Sequence, residues 1–141
     1  MVKRILGVDY GDARTGLAYS DAMGLTAVGW CNVKSYNTEK AAEEIAVKAK
    51  EIGAELIVIG KPLNMNGTAG PRAEAALAFG ETLKKYTDIP ITFFDERRTT
   101  VQAHEILTQT GVFGKKRKDT VDTLAAEIIL QSYMDKQKNI S

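Results

Sequence analysis

The run Leu56-Ile57-Val58-Ile59 sets the tightest limit on how this chain can fold. Four consecutive aliphatic residues offer no polar face. The run is too short for a helix, so it reads as a strand buried on both faces. Residues 39–52, just before it, carry Ala42, Ile45, Ala46, Ala49 and Ile52 at helical spacing. Asn37 or Thr38 can cap that helix and Gly53 can end it. A strand following a helix so closely is naturally parallel to an earlier strand.

The earlier strand lies in Lys3 to Gly16, KRILGVDYGDARTG. Ile5, Leu6 and Val8 form a short apolar run closed by Gly11 and Asp12. Asp9 interrupts it. A carboxylate at the end of a buried strand is costly unless a metal ion, a cation or several N–H donors compensate its charge. The alternative is that Asp9 and Asp12 simply cap turn N–H groups. Leu17 to Ser20 supplies a second strand, hairpin-paired to the first, and residues 25–34 a third, completing an antiparallel meander.

After Ile59 comes a turn-rich stretch, Gly60 to Arg72, long enough in a small domain to suggest function. Pro71 suits the first turn of a helix carrying Ala75, Leu77, Ala78, Phe79, Leu83 and Tyr86, weakened by Gly80. Pro90 opens a strand, Ile91 to Phe94, ending in Asp95-Glu96-Arg97-Arg98. Thr99 or Thr100 can cap a helix with Val101, Ile106 and Leu107. Gly111 to Lys118 reads as a loop, and the final helix as running from about Thr120 to Lys136, with Val121, Leu124, Ala125, Ile128, Ile129 and Tyr133 on its apolar face. Gln137 to Ser141 reads as a frayed tail. The expected architecture is one α/β domain over residues 1–141, with a mixed five-stranded sheet flanked by helices.

Composition narrows the function. The 141 residues carry a net charge of +1, so no global basic field advertises nucleic acid, and any such signal is local. The single cysteine, Cys31, reads as a small core residue. No apolar run approaches the ~18 residues of a membrane span. The N-terminus is too short and too early interrupted for a signal peptide, and a cytoplasmic location is expected.

Three acidic residues stand at element ends: Asp9 after the first strand, Glu96 after the last, Asp122 opening the final helix. Carboxylates that converge repel unless cations lie between them. Hard oxygen ligands suit Mg²⁺ or Mn²⁺, and two such ions about 4 Å apart clamp the attacking and leaving oxygens of phosphodiester hydrolysis. Each residue also has a plainer role. Glu96 can pair with Arg97 or Arg98, and Asp122 can belong to a capping box begun by Asp119. Spacing alone does not show convergence. His104 reads as a helix residue rather than a catalytic base, and Tyr10 as a packing residue.

Four stretches in order carry a resemblance that spans essentially the whole chain. Gly7-Val8-Asp9-Tyr10-Gly11 with Gly16 is the first, and residues 60–68 the second. Asp95-Glu96-Arg97 with Thr99-Thr100 is the third. Val121-Asp122 with Ala125-Ala126 and Ile128-Ile129-Leu130 is the fourth. Together they resemble the ribonuclease H-like superfamily and, within it, the bacterial YqgF-type family. That family was first called Holliday-junction resolvases and later assigned as pre-16S ribosomal RNA nucleases. The resemblance implies a ribonuclease H-like fold and a metal-dependent nuclease with Asp9, Glu96 and Asp122 as catalytic and metal-binding residues. Lys61 departs from the family, which generally has an apolar residue before the proline. Asp119 lies one turn from Asp122, but the spacing to Ala125-Ala126 favours Asp122.

With that site beside it, the basic run Lys115, Lys116, Arg117 and Lys118 is suited to phosphate contacts. Arg97 can contact the scissile phosphate or tether Glu96. Asn64 and Asn66 can hydrogen-bond substrate or shape their turn. The partners implied are structured RNA, branched DNA and a pre-ribosomal particle, with the protein a monomer or weak dimer. Maturation of precursor 16S ribosomal RNA is the first expectation and four-way junction resolution the second. A junction resolvase needs two symmetric cuts and hence a two-fold dimer. Two other classes stay open: an ATP-binding module, since an Asp-x-Gly turn also occurs in actin-like and sugar-kinase-like ATPases, and a non-catalytic RNA-binding protein.

Overall fold

A computed structural model describes residues 4–61, 70–95 and 114–140, with side chains of the last segment described for 123–137. Five strands form one sheet in the order β3-β2-β1-β4-β5. The strands are β1 (Arg4–Asp9), β2 (Arg14–Ser20), β3 (Ala27–Lys34), β4 (Ala54–Lys61) and β5 (Ile91–Asp95). The first three make the expected antiparallel meander, and β1, β4 and β5 run parallel. The helices are α1 (Thr38–Glu51), α2 (Pro71–Leu83) and α3 (Gly114–Ile140).

The periodic signals fall where the sequence puts them. Asn37 caps α1 by accepting a hydrogen bond from Lys40 N at 3.1 Å, and Gly53 leaves the helix at φ +68°. Ile57, Val58 and Ile59 are fully buried in the middle of the sheet. The α1 face (Ala41, Ala42, Ile45, Ala46, Ala49) and the α2 face (Ala76, Phe79, Leu83) pack on Leu6, Val8, Leu17, Val33, Ile57 and Ile59. Tyr10 does pack: its ring stacks on Phe79 at 4.5 Å. The buried face of α2 is Ala73, Ala76, Phe79, Gly80 and Leu83; Leu77 is exposed, and Tyr86, expected on this helix, lies beyond its end at Leu83 and is exposed. Cys31 packs against this core, and burial pushes its thiol up, away from nucleophilic use.

Gly80 is no weak point in α2. A Cβ built there would lie 2.5 Å from Phe93 Cζ on β5. The glycine lets helix and strand approach. Gly80→Ala is therefore expected to destabilise by about 1–2 kcal/mol, because overpacking outweighs the ~1 kcal/mol of helix propensity gained. A urea melt checks this; a more stable variant contradicts it.

The opposite face is covered by α3, and here the sequence reading needs correction. The helix begins at Gly114, not near Thr120, so Lys115 to Lys118 lie in its first turns rather than in a loop. It also continues through Ile140, past the tail read as frayed. Lys and Arg are good helix formers, so a run of them suits a helix as readily as a loop. The expected helix over Val101 to Leu107 lies outside the described residues.

Candidate nuclease site

Strand alternation puts Ile5, Gly7 and Asp9 on the α3 face of β1. Gly7 is the close contact. A Cβ built there would lie 2.8 Å from Leu130 Cβ and 3.2 Å from Ala126 O. Ile5 packs against the cluster that holds Ala126, Leu130 and Met134. Thus α3 runs antiparallel to β1, and climbing β1 toward Asp9 descends α3 toward its N-terminus. Position 122 lies one turn, ~5.4 Å, before Ala126 on the same stripe. The helical turn carrying Asp122 is thereby brought to the level of Asp9.

Asp9 is buried, 8% exposed, and its partner across β2 is Gly16. Gly16 in turn opposes Asn32 on β3. On the other side Val8 pairs with Ile59, so the next step of the register sets Asp9 level with Gly60, itself paired with Phe94. One row therefore reads Asn32, Gly16, Asp9, Gly60, Phe94. Two glycines, Gly16 and Gly60, stand level with Asp9 on the neighbouring strands. Lys61 and Asp95 form the next pair, directly opposite each other. Asp95, the last described residue of β5, is two strands or ~10 Å from β1.

Asn32 is a residue the sequence reading missed. The register slips between Leu17 and Ala18: Leu17 opposes Cys31 but Ala18 opposes Gly29, with Trp30 bulged out between them. Simple alternation would place Asn32 on the α1 face. The bulge re-aims it onto the face of Asp9, as bulges beside functional sites often do. A polar residue two positions after Trp30, within an otherwise apolar strand, is a weak sequence signal.

The turn after Asp9 is held tightly. A Cβ at Gly11 would meet Arg14 O at 2.4 Å, so only glycine fits. Gly11 N donates to Thr15 Oγ1 at 3.4 Å, and the buried Ser35 hydroxyl donates to Gly11 O. These contacts fix the exit of β1 and with it the carboxylate.

Glu127, one turn beyond Thr123, packs over Gly29, whose N–H donates to it. Burial raises its pKa above the ordinary 4.5, and the Gly29 hydrogen bond opposes the shift. A raised folded-state pKa means the folded chain binds the proton more tightly. Stability from this source is full at low pH and is lost as pH rises from 4.5 through the folded value. Glu127→Gln is expected to melt slightly higher than wild type at pH 7, by under about 1 kcal/mol given solvent screening, with the gap closing toward pH 4. Thermal melts across pH check it; a gap that widens on acidification contradicts it.

Of the sequence-derived candidates, Asp9 is described in full and Asp122 by its helical position. Lys115, Lys116, Arg117 and Lys118 are likewise placed on α3 by backbone. Glu96, Arg97, Asn64, Asn66 and His104 lie outside the described residues. Among the described residues, no three His, Cys, Asp or Glu side chains form a metal-holding group. No described helix is long and apolar enough to cross a membrane.

Comparison with known proteins supplies the context. Residues 3–136 match the family model RuvX, described as Holliday junction resolvase. A Clostridium beijerinckii protein is 45% identical over 132 residues, covering 94% of this chain and 96% of its own. A Clostridioides difficile protein is 46% identical, covering 94% of each. Both are provisionally named pre-16S rRNA nuclease. Among solved structures, Thermus thermophilus RuvC in complex with Holliday junction substrate matches at a TM-score of 0.54 and 13% identity, over 97% of this chain and 96% of that one. Fowlpox virus resolvase with its Holliday junction DNA matches at 0.55 and 15% identity, over 95% and 98%. At such identities these two show the fold alone, and that fold is the RuvC-like, ribonuclease H-like one.

Proposed function

We propose, for a chain that belongs to the RuvX family of Holliday junction resolvases, that its reaction is divalent-metal-dependent hydrolysis of phosphodiester bonds in precursor 16S ribosomal RNA. That the chain is a nuclease follows from its family and from relatives at 45–46% identity. The ribosomal substrate is supported by the names of those relatives. One structural observation carries the site: Asp9 is buried at the sheet edge where β5 leads into Glu96, at the level of the α3 turn bearing Asp122.

The donor set fits hard divalent cations, since it is all carboxylate oxygen and Asp9 is desolvated between two glycines. Asp9, Glu96 and Asp122 would hold Mg²⁺ or Mn²⁺, in our reading two ions. When bound, such ions activate water and stabilise the leaving oxygen. The protein supplies position. The Gly11 turn fixes Asp9, and the Gly7 contact with α3 fixes the turn of Asp122. Arg97 and the run Lys115 to Lys118 contact phosphates without reading bases, and Asn64 and Asn66 hydrogen-bond the strand. We assign the protein to the cytoplasm, as a single domain working as a monomer or weak dimer on a pre-ribosomal particle.

The family description favours a second reading, resolution of four-way DNA junctions. The two separate in one assay with Mg²⁺ or Mn²⁺, offering an RNA with the precursor 16S ends beside a four-way junction. Cutting of the RNA supports the first reading. Paired symmetric cuts of the junction alone move the assignment to the second. Inertness toward both overturns the nuclease assignment.

A further inference from the structure

On β2 and β3 the last pair before the site edge is Arg14 opposite Lys34. At the same edge, on β4 and β5, the corresponding pair is Lys61 opposite Asp95, of opposite sign. The two cations share the face of Asp9. Arg14 lies two residues beyond Gly16, the cross-strand partner of Asp9, and Lys34 two beyond Asn32. Lys34 is exposed and Arg14 half-buried. Their backbone positions are ~7 Å further along the strands than the Asp9 row.

The course of α3 adds to this. A Cβ at Gly29 would meet Thr123 Cβ at 3.7 Å, and Ala27 N donates to Gln131 Oε1 at 2.8 Å. Climbing β3 from Ala27 toward Lys34 therefore also descends α3 toward Gly114. The helical turns of Lys115 to Lys118 begin at the Arg14–Lys34 end of the sheet. Two separate elements thus bring cations to one side of the carboxylate.

We infer that Arg14 and Lys34 form a phosphate-contact site that holds the nucleic-acid strand on the β3 side of the cleavage point. The contact rests on the nuclease reading for its purpose, and it deepens that reading by giving the strand a direction across the sheet. From Asp9 to Arg14, with a strand spacing of ~4.8 Å and an advance of ~7 Å, the span is ~8 Å. That corresponds to two or three nucleotides at ~3.4 Å of axial rise per nucleotide. Two cations on phosphates bind irrespective of sequence and release counterions.

The test is the salt dependence of binding, by fluorescence anisotropy with a duplex RNA and a four-way junction in EDTA. Wild type is compared with Lys34→Gln, Lys34→Glu and Arg14→Gln/Lys34→Gln. The double variant is expected to flatten the log K against log salt slope by up to ~1.8 on the junction, and Lys34→Gln by up to ~0.9. Lys34→Glu, on an exposed side chain that the fold does not need, is expected to bind more weakly than Lys34→Gln. Unchanged slopes in Lys34→Gln and Lys34→Glu overturn the assignment, even where wild type cuts normally. Reduced slopes with a wild type that cuts neither substrate leave the phosphate contact standing and remove the nuclease reading.

Discussion

Asp9→Asn is expected to lower cleavage by about 10³-fold while nucleic-acid binding stays equal or becomes tighter. The substitution keeps shape and removes one charge. Losing a metal-holding carboxylate forfeits several kcal/mol of transition-state stabilisation, and ~4 kcal/mol corresponds to a thousandfold. Binding is carried by cations meeting phosphates, and deleting a nearby anion cannot weaken that attraction. A second readout does not depend on turnover. Mn²⁺ should raise the melting temperature of wild type and leave that of Asp9→Asn unmoved, because an ion that binds only the folded state stabilises it by mass action. Equal metal stabilisation of both proteins would remove Asp9 from the site.

Gly7→Val is expected to do the largest structural damage. Even a Cβ at position 7 lies 2.8 Å from Leu130 Cβ and 3.2 Å from a backbone oxygen of α3. The helix must lift, because its backbone cannot yield as a flexible side chain can. Overpacking of this kind costs ~3 kcal/mol, roughly 10 °C in melting temperature for a domain of this size. Activity should fall more than the folded fraction does, since the same displacement moves the turn of Asp122 away from Asp9. Calorimetry paired with the cleavage rate of the folded fraction checks both parts. A variant as stable and active as wild type would show that α3 does not set the site.

Much of the fold was legible because burial writes itself into periodicity. Leu56 to Ile59 declares a covered parallel strand, and the face from Ala42 to Ala49 declares its crossover helix. Asp9 was legible for the opposite reason, as a carboxylate where the pattern calls for an apolar residue. The start of α3 was not legible, because four consecutive cations carry no periodicity and suit a helix or a loop equally. Gly7, Gly80 and Gly29 were opaque in another way: a missing Cβ says that something comes close without saying what. Asn32 depended on the Trp30 bulge, which reverses the facing of every residue after it. Convergence of Asp9 with the Asp122 turn depends on how α3 crosses the sheet, and no local pattern encodes a crossing.

The most direct measurement is the anomalous scattering of Mn²⁺ in crystals soaked or grown with the ion. Manganese peaks are expected at the carboxyl edge of β1 and β5, with oxygens of Asp9, Glu96 and Asp122 as ligands at ~2.0–2.3 Å. Carboxylates too far apart to share an ion, or manganese bound elsewhere with this edge vacant, would contradict it.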